Sequence, residues 1–220
     1  MKVLAFDCSG ASCSAAVLID ERPAAQRFAA MERGHAEILL PMIETVLREA
    51  ALTAAALDLL VVTVGPGSFT GLRIGLAAAS GLALACKLPA IGVASFDAVK
   101  VDDPARRPLF VALESKRAEL FLQRRDRADP RLPALVPPEE WAALLPTGPC
   151  ALAGDGAPRL AAALGRHDVA VLQGHGRPDP VVLARLGAAR WRAGDRMPLA
   201  PLYLRAPDTT TTPQVVPVTP

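Results

Sequence analysis

The apolar positions change period along the chain, and each change marks an element. "KVLAFD" is a short apolar run closed by an acid, "CSGAS" is turn-like, and "CSAAVLID" runs on as a second strand. "DERP" turns the chain again and "AAQRFAA" reads as a third strand, so the start predicts an antiparallel meander. In "HAEILLPMIETVLREAAL" the period becomes helical. Ile38, Leu39, Met42, Ile43, Val46, Leu47 and Ala50 recur every three to four positions, which predicts a helix over roughly 35–51. Pro41 is read as sitting near its first turn, where a missing N–H costs least. "LDLLVVTV" is a continuous apolar run, the mark of a strand buried on both faces. "GPGS" follows, then a second helix over roughly 69–86, then the buried strand "LPAIGVAS".

The composition turns polar and proline-containing around Val99–Pro108, which predicts a boundary between residues 1–97 and 98–205. The plan then restarts. "LFVALES" and "AELFLQRR" read as a hairpin and "PPEEWAALLP" as a short helix. "CALAGDGAPRLAAAL" reads as strand, glycine turn and helix, "DVAVLQG" as a strand, and "PDPVVLARLGAARWRAG" as a helix. Each half is a hairpin followed by alternating helix and strand, so the halves look like weak repeats of one α/β plan. The tail over 206–220 is of low complexity and is expected to be disordered.

Aromatics make up only 4% of the chain, so Ala, Leu and Val must build the core. A net charge of +2 argues against a strongly basic nucleic-acid binder read from charge alone. That charge is unevenly placed: residues 1–97 carry −2 and residues 98–220 carry +4. The first half is therefore a poor grip for RNA phosphates. Cys8, Cys13, Cys86 and Cys150 form no CxxC and no zinc spacing, and read as free thiols of a reducing compartment. "MKVLAFDCSG" lacks the long apolar core of a signal peptide. The apolar run from Ile74 to Cys86 falls short of the ~20 residues of a membrane span. The expectation is a soluble, cytoplasmic protein without a membrane partner.

The segment "GPGSFTGLRIGLAAASGLALA" draws the most attention. A glycine turn between a buried strand and a helix aims amides outward, which suits an anion, with Asp7, Gly65, Gly67 and Ser68 as the contacts. No Lys follows the turn and no GxGxxG is present. The alternative is structural: Gly65 and Gly67 supply unusual φ angles and Ser68 caps the helix. In the helix, Gly71, Gly75, Ala79 and Ala83 fall four apart and form one smooth stripe. Such a stripe lets another backbone come close, whether the protein's own sheet, the first helix, or a helix of another chain. Taken alone, the stripe favours the intramolecular reading. The first helix shifts the balance toward a helix–helix interface, because Leu40 beside Ile43 and Leu47 makes it wider in apolar surface than one buried face requires.

"LAFDCSGASCSAAV", "RGHAEILLPMIETVL", "GPGSFTGLRIGLAAASGLALA" and the late "PLYLR" resemble the TsaB (YeaZ) family, strongly over 1–97 and weakly over 98–205. The resemblance implies a two-lobed actin/Hsp70/sugar-kinase-like fold with mixed sheets flanked by helices. It implies a non-catalytic subunit that binds a TsaD-type threonylcarbamoyltransferase acting on tRNA adenosine, with help from a TsaE-type ATPase. It also implies that the first two helices form the partner interface and can pair two copies of the chain. The interface residues expected are His35, Ile38, Leu39, Met42, Ile43, Leu47, Gly71, Gly75, Ala79 and Ala83. No cofactor is expected within the chain; ATP or ADP is expected only at the partner interface, and tRNA contact only indirectly. The sequence departs from the pattern at "LESKRAELF", where the family often has an Asp-Ala-Arg turn.

An enzyme of the same fold, ATP-dependent and kinase-like or glycoprotease-like, is the alternative, on fold analogy. The related catalytic subunits hold a metal with two histidines one helical turn apart. Here Leu39 follows His35 at that spacing, and His167 and His175 lie in loop-like segments. No catalytic residue and no metal ligand is assigned. Asp7 stands where ATPases of this fold place a carboxylate near phosphate, but "ESKRA" does not offer the matching turn in the second half. A strand-end turn former is the alternative role for Asp7. No GxSxG occurs.

Overall fold

The computed structural model describes residues 1–129, 131–174 and 176–204. His175, Arg205 and the tail over 206–220 lie outside the described residues. The meander is present as β1 (Lys2–Asp7), β2 (Ser12–Ile19) and β3 (Arg22–Ala30), followed by α1 (His35–Glu49), β4 (Leu59–Gly65), α2 (Phe69–Cys86) and β5 (Ala90–Ala94). A single helical turn, α3 (Ser95–Ala98), leads to β6 (Leu109–Glu114), β7 (Leu120–Arg124) and β8 (Ala134–Val136). Then come α4 (Trp141–Leu144), β9 (Cys150–Ala153), α5 (Ala157–Leu164), β10 (Val169–Val171) and α6 (Pro180–Arg192). Pro41 lies inside α1 rather than in its first turn, and the Thr45 hydroxyl donates to its carbonyl at 2.8 Å.

The two halves repeat one topology. The first sheet has the order β3-β2-β1-β4-β5, and the second has β8-β7-β6-β9-β10, the same path read strand for strand. In both, the first strand pairs antiparallel with the second and parallel with the fourth. The fourth strand of each half ends at a glycine in the left-handed region, Gly65 at φ +113° and Gly154 at φ +103°. Positions that L side chains rarely adopt thus recur at matching places.

Side chains alternate across the first sheet, as a strand period of two requires. Leu4, Phe6, Val62 and Val64 face α1 and α2. Val3, Ala5, Leu59, Val61, Ile91 and Val93 face α6, which presents Val181, Leu183, Ala184 and Ala188. In the sequence α6 belongs to the stretch 98–205, yet it crosses back to cover the first sheet. Its apolar stripe shows that it must bury a face but not which sheet receives it. The segment after α6 follows the same route. The Gly92 amide donates to the Met197 carbonyl at 2.9 Å and the Leu202 amide to Val64. The second sheet packs α4 and α5 on one face through Phe110, Leu122, Trp141, Leu152 and Leu160. Its other face meets α3, whose Phe96 sits fully buried with Val111, Leu113 and Phe121.

Candidate docking surface and inter-lobe cleft

The glycine turn is built around the chain's own hairpin. The Ser68 amide donates to the Ser9 carbonyl at 2.7 Å, and a Cβ on Gly67 would collide with that carbonyl. A Cβ on Gly71 would likewise strike the Cys8 carbonyl oxygen, and Leu202 packs its carbonyl against Gly65. Ser68 caps α2, its Oγ accepting from the Gly71 amide at 3.3 Å. These glycines therefore admit neighbouring backbone, and the amide at the helix start is already used. Asp7 is fully buried: its Oδ1 accepts from the Ser9 amide at 2.9 Å and from the Thr63 hydroxyl at 2.5 Å. Its Oδ2 is buried without a hydrogen-bond partner, and burial pushes the Asp7 carboxyl up despite those two bonds. The anion site expected at Asp7, Gly65 and Gly67 is thus replaced by a strand-end turn; Ser68 alone of the four reaches the cleft described next.

Between the lobes lies a cleft of about 420 Å³, bounded by the β1–β2 turn, Ser68, the β6–β7 turn and the start of α5. Its charged lining comprises Glu32, Glu114, Asp155, Lys116 and Arg177. Arg159 grips Glu114 in a fork, with N–O distances of 3.0 and 2.8 Å. Asp155 accepts from the Glu114 amide at 2.9 Å, pairs loosely with Arg177 at 3.8 Å, and is pushed up by burial. The lining thus carries three carboxylates against two cations and no aromatic ring among the described residues. Two of the lining serines are engaged locally. Ser68 is a cap and the Ser115 hydroxyl donates to the Glu119 carbonyl at 2.6 Å. His35 Nε2 donates to the Gly10 carbonyl at 3.0 Å, away from any hydroxyl. Among the described residues no group of three or more His, Cys, Asp or Glu is placed to hold a metal.

The expected partner face needs correction. Leu39, Ile43, Leu47, Gly71, Gly75 and Ala79 are buried against the chain's own first sheet, and His35 is buried against the β1–β2 turn. Of the ten, only Ile38 is exposed, while Met42 and Ala83 are half-buried. The physical reason is that a regular apolar or smooth stripe is the part of a helix its own sheet takes first. Surface left for a visitor lies off that stripe. On α1 it is Ile38 and Leu40, at 40% and 50% exposure; on α2 it is Ala77, Gly81 and Leu84, the last 83% exposed. Between the helices lie half-buried Met42, Ile74, Ala78 and Leu82.

Counted from Phe69, α2 has 18 residues at a mean hydropathy of 1.5, which by length and composition would let it cross a membrane. The run from Ile74 alone is too short for that. Of the 18 residues of α2 five are buried and eight exposed, the exposed apolar ones including Phe69, Ala77, Leu84 and Ala85. At its start, Tyr203 stacks on Phe69 at 5.2 Å, Arg73 lies over the Phe69 ring at 3.8 Å, and Arg73 Nε donates to the Tyr203 hydroxyl at 3.2 Å. This knot ties the segment after α6 to α2. The pairing of Tyr203 with the start of the glycine helix, invisible as a contact in the sequence, is the geometry that sequence reasoning missed.

Residues 29–131 match the family described as TsaD, tRNA N6-adenosine threonylcarbamoyltransferase. An uncharacterized protein of Mycobacterium tuberculosis is 39% identical over 176 residues, covering 80% of this chain and 77% of that one. The tRNA threonylcarbamoyladenosine biosynthesis protein TsaB of Escherichia coli is 39% identical over 95 residues, 43% of this chain and 41% of its own. The structure of YeaZ from Pseudomonas aeruginosa superposes with a TM-score of 0.77 at 26% identity, covering 92% of this chain and 99% of that one. The paired sheets, their shared strand order and this likeness make the fold the two-lobed actin/Hsp70/sugar-kinase-like one. With the duplicated lobes, the glycine turn before the Ser68-capped α2 and these relatives together, the chain belongs to the TsaB/YeaZ family.

Proposed function

We propose that the chain serves tRNA threonylcarbamoyladenosine biosynthesis as a docking subunit, binding a TsaD-type transferase through the outer faces of α1 and α2. The observation that carries this reading is the exposed apolar surface of the two helices: Ile38 and Leu40 near the start of α1, and Leu84, 83% exposed, near the end of α2. Exposed apolar side chains on two neighbouring helices are what a protein–protein interface uses. Ala77 and Gly81, one turn apart, let a partner helix lie close. The chemistry is assigned to the partner, since two serines of the inter-lobe cleft are engaged locally and its lining carries more carboxylates than cations. Any ATP or ADP belongs at the surface shared with the partner, where a TsaE-type ATPase completes the assembly. A second copy of this chain competes for the same face. The setting is the cytoplasm, with the apolar helix covered by protein.

The test is calorimetric titration of the full chain with a TsaD-type transferase. Leu84→Glu puts a charge where an apolar contact is expected and weakens binding at least tenfold, about 1.4 kcal/mol. Undiminished affinity would move the interface elsewhere.

A further inference from the structure

A second cleft, of about 420 Å³ and open to solvent, lies on another side of the molecule from α1 and α2, where α3, the end of β7 and α6 meet. Arg124, Arg125, Arg127 and Arg190 line it, with Asp97 as the single acid and no aromatic ring. Two of these cations are neutralised. Arg190 pairs with Asp97 at 2.7 Å, and Arg124 grips Asp126 with two contacts of 2.9 Å. The other two are not. Arg125 is half-buried and spends one Nη1–H on the Val99 carbonyl at 3.0 Å. Its remaining donors have no carboxylate in contact among the described residues. Arg127 is exposed and makes no hydrogen bond or ion pair among the described residues. A guanidinium has five donors in a rigid fork and keeps its charge, so a half-buried one with a single acceptor is incompletely satisfied.

We propose that this cleft is a phosphate site that holds the sugar–phosphate backbone of an RNA strand. Guanidinium forks match phosphate oxygens, and an open cleft without an aromatic platform suits a backbone contact rather than a stacked base. The net +4 of residues 98–220 lies on the half that contributes β7 and α6. The choice of RNA among oxyanions rests on the reading above that the chain serves tRNA modification. The site itself rests on Arg125 and Arg127.

The test is fluorescence anisotropy of a labelled tRNA transcript with the full chain, alone and bound to its TsaD-type transferase, across a salt series. Arg127→Gln touches no protein partner, so its fold is expected to be intact. It is expected to weaken RNA binding roughly fivefold at 0.15 M salt and to lower the log–log salt slope by about 0.9. Arg125→Gln adds a similar loss, and Arg125→Lys restores most of the slope, which separates charge from the structural bond to Val99. Complex formation with the transferase, followed by size exclusion, is expected to be unchanged in all three variants, so failure of docking and failure of this site give different readouts. RNA affinity and salt slope indifferent to both arginines would overturn the proposal. Arg127-dependent thermal protection by inorganic phosphate, with RNA binding indifferent, would assign the cleft to a small phosphate and would equally overturn the RNA assignment.

Discussion

Three glycines of α2 face three different surroundings, and alanine at each measures which surroundings are real. A helix-interior Gly→Ala change gains about 1 kcal/mol from propensity alone. At Gly81 the added Cβ meets nothing within 4 Å, so the whole gain is expected. At Gly75 it meets Val62 Cγ2 at 3.5 Å and Cys8 Cβ at 3.9 Å, ordinary contact distances, so the gain again survives. At Gly71 it runs into the Cys8 carbonyl oxygen, a backbone atom held at the end of β1. Overpacking of this kind costs about 1–3 kcal/mol, and a backbone obstacle puts it at the upper end. The net is a loss of about 1–2 kcal/mol for Gly71→Ala. For a chain of this length that lowers the melting temperature by roughly 3–6 °C, while Gly75→Ala and Gly81→Ala raise it by roughly 2–4 °C each. Urea melts and calorimetry read the series directly. A Gly71→Ala variant as stable as Gly81→Ala would refute the placement of α2 on the β1–β2 turn, and with it the correction of the partner face.

Further outcomes follow from the buried acid and from the segment after α6. Burial lifts the Asp7 carboxyl above its usual 3.8, so the folded chain holds a proton that the unfolded chain releases. That contribution favours folding below about pH 4 and is lost as pH rises through the folded value. Asp7→Asn, which can keep both bonds to Oδ1, is expected to gain stability relative to the native chain between pH 4 and pH 8 in urea melts; parallel curves would deny the buried charge. Tyr203→Ala removes the stack on Phe69 and the bond to Arg73. It is expected to cost about 1 kcal/mol and to speed amide exchange at Leu202; unchanged exchange there would show that the aromatic knot does not hold the segment in place.

Local signals carried much of the architecture. The meander, the continuous apolar β4, and α2 from Phe69 to Cys86 could be read from period and punctuation, because Ser68 and the glycine turn mark that helix start unambiguously. The repeat of the two halves was visible as a plan, although the matched left-handed glycines at 65 and 154 emerge only from backbone angles. What stayed hidden depends on distant partners. The stripe of α6 does not name the first sheet as its receiver, and neither "PLYLR" nor Phe69 announces the other. The smooth stripe on α2 was legible and alone favoured the chain's own sheet; the apolar width of α1 turned the reading toward a visiting helix. Val62 and Cys8 occupy that stripe, so the side of α2 left exposed is the other one, at Gly81 and Leu84. The short α3 and β8, four and three residues long, have too few positions to establish a period.

The account turns on that outer side of α2. A Gly81→Cys chain, made with Cys86→Ser so that the neighbouring half-buried thiol does not react, carries one exposed thiol at the centre of the proposed face. Its maleimide labelling is expected to be fast in the free chain and at least tenfold slower once a saturating TsaD-type transferase is added. Equal rates with and without the transferase, in a mixture shown to be complexed, would place the docking surface elsewhere on the molecule.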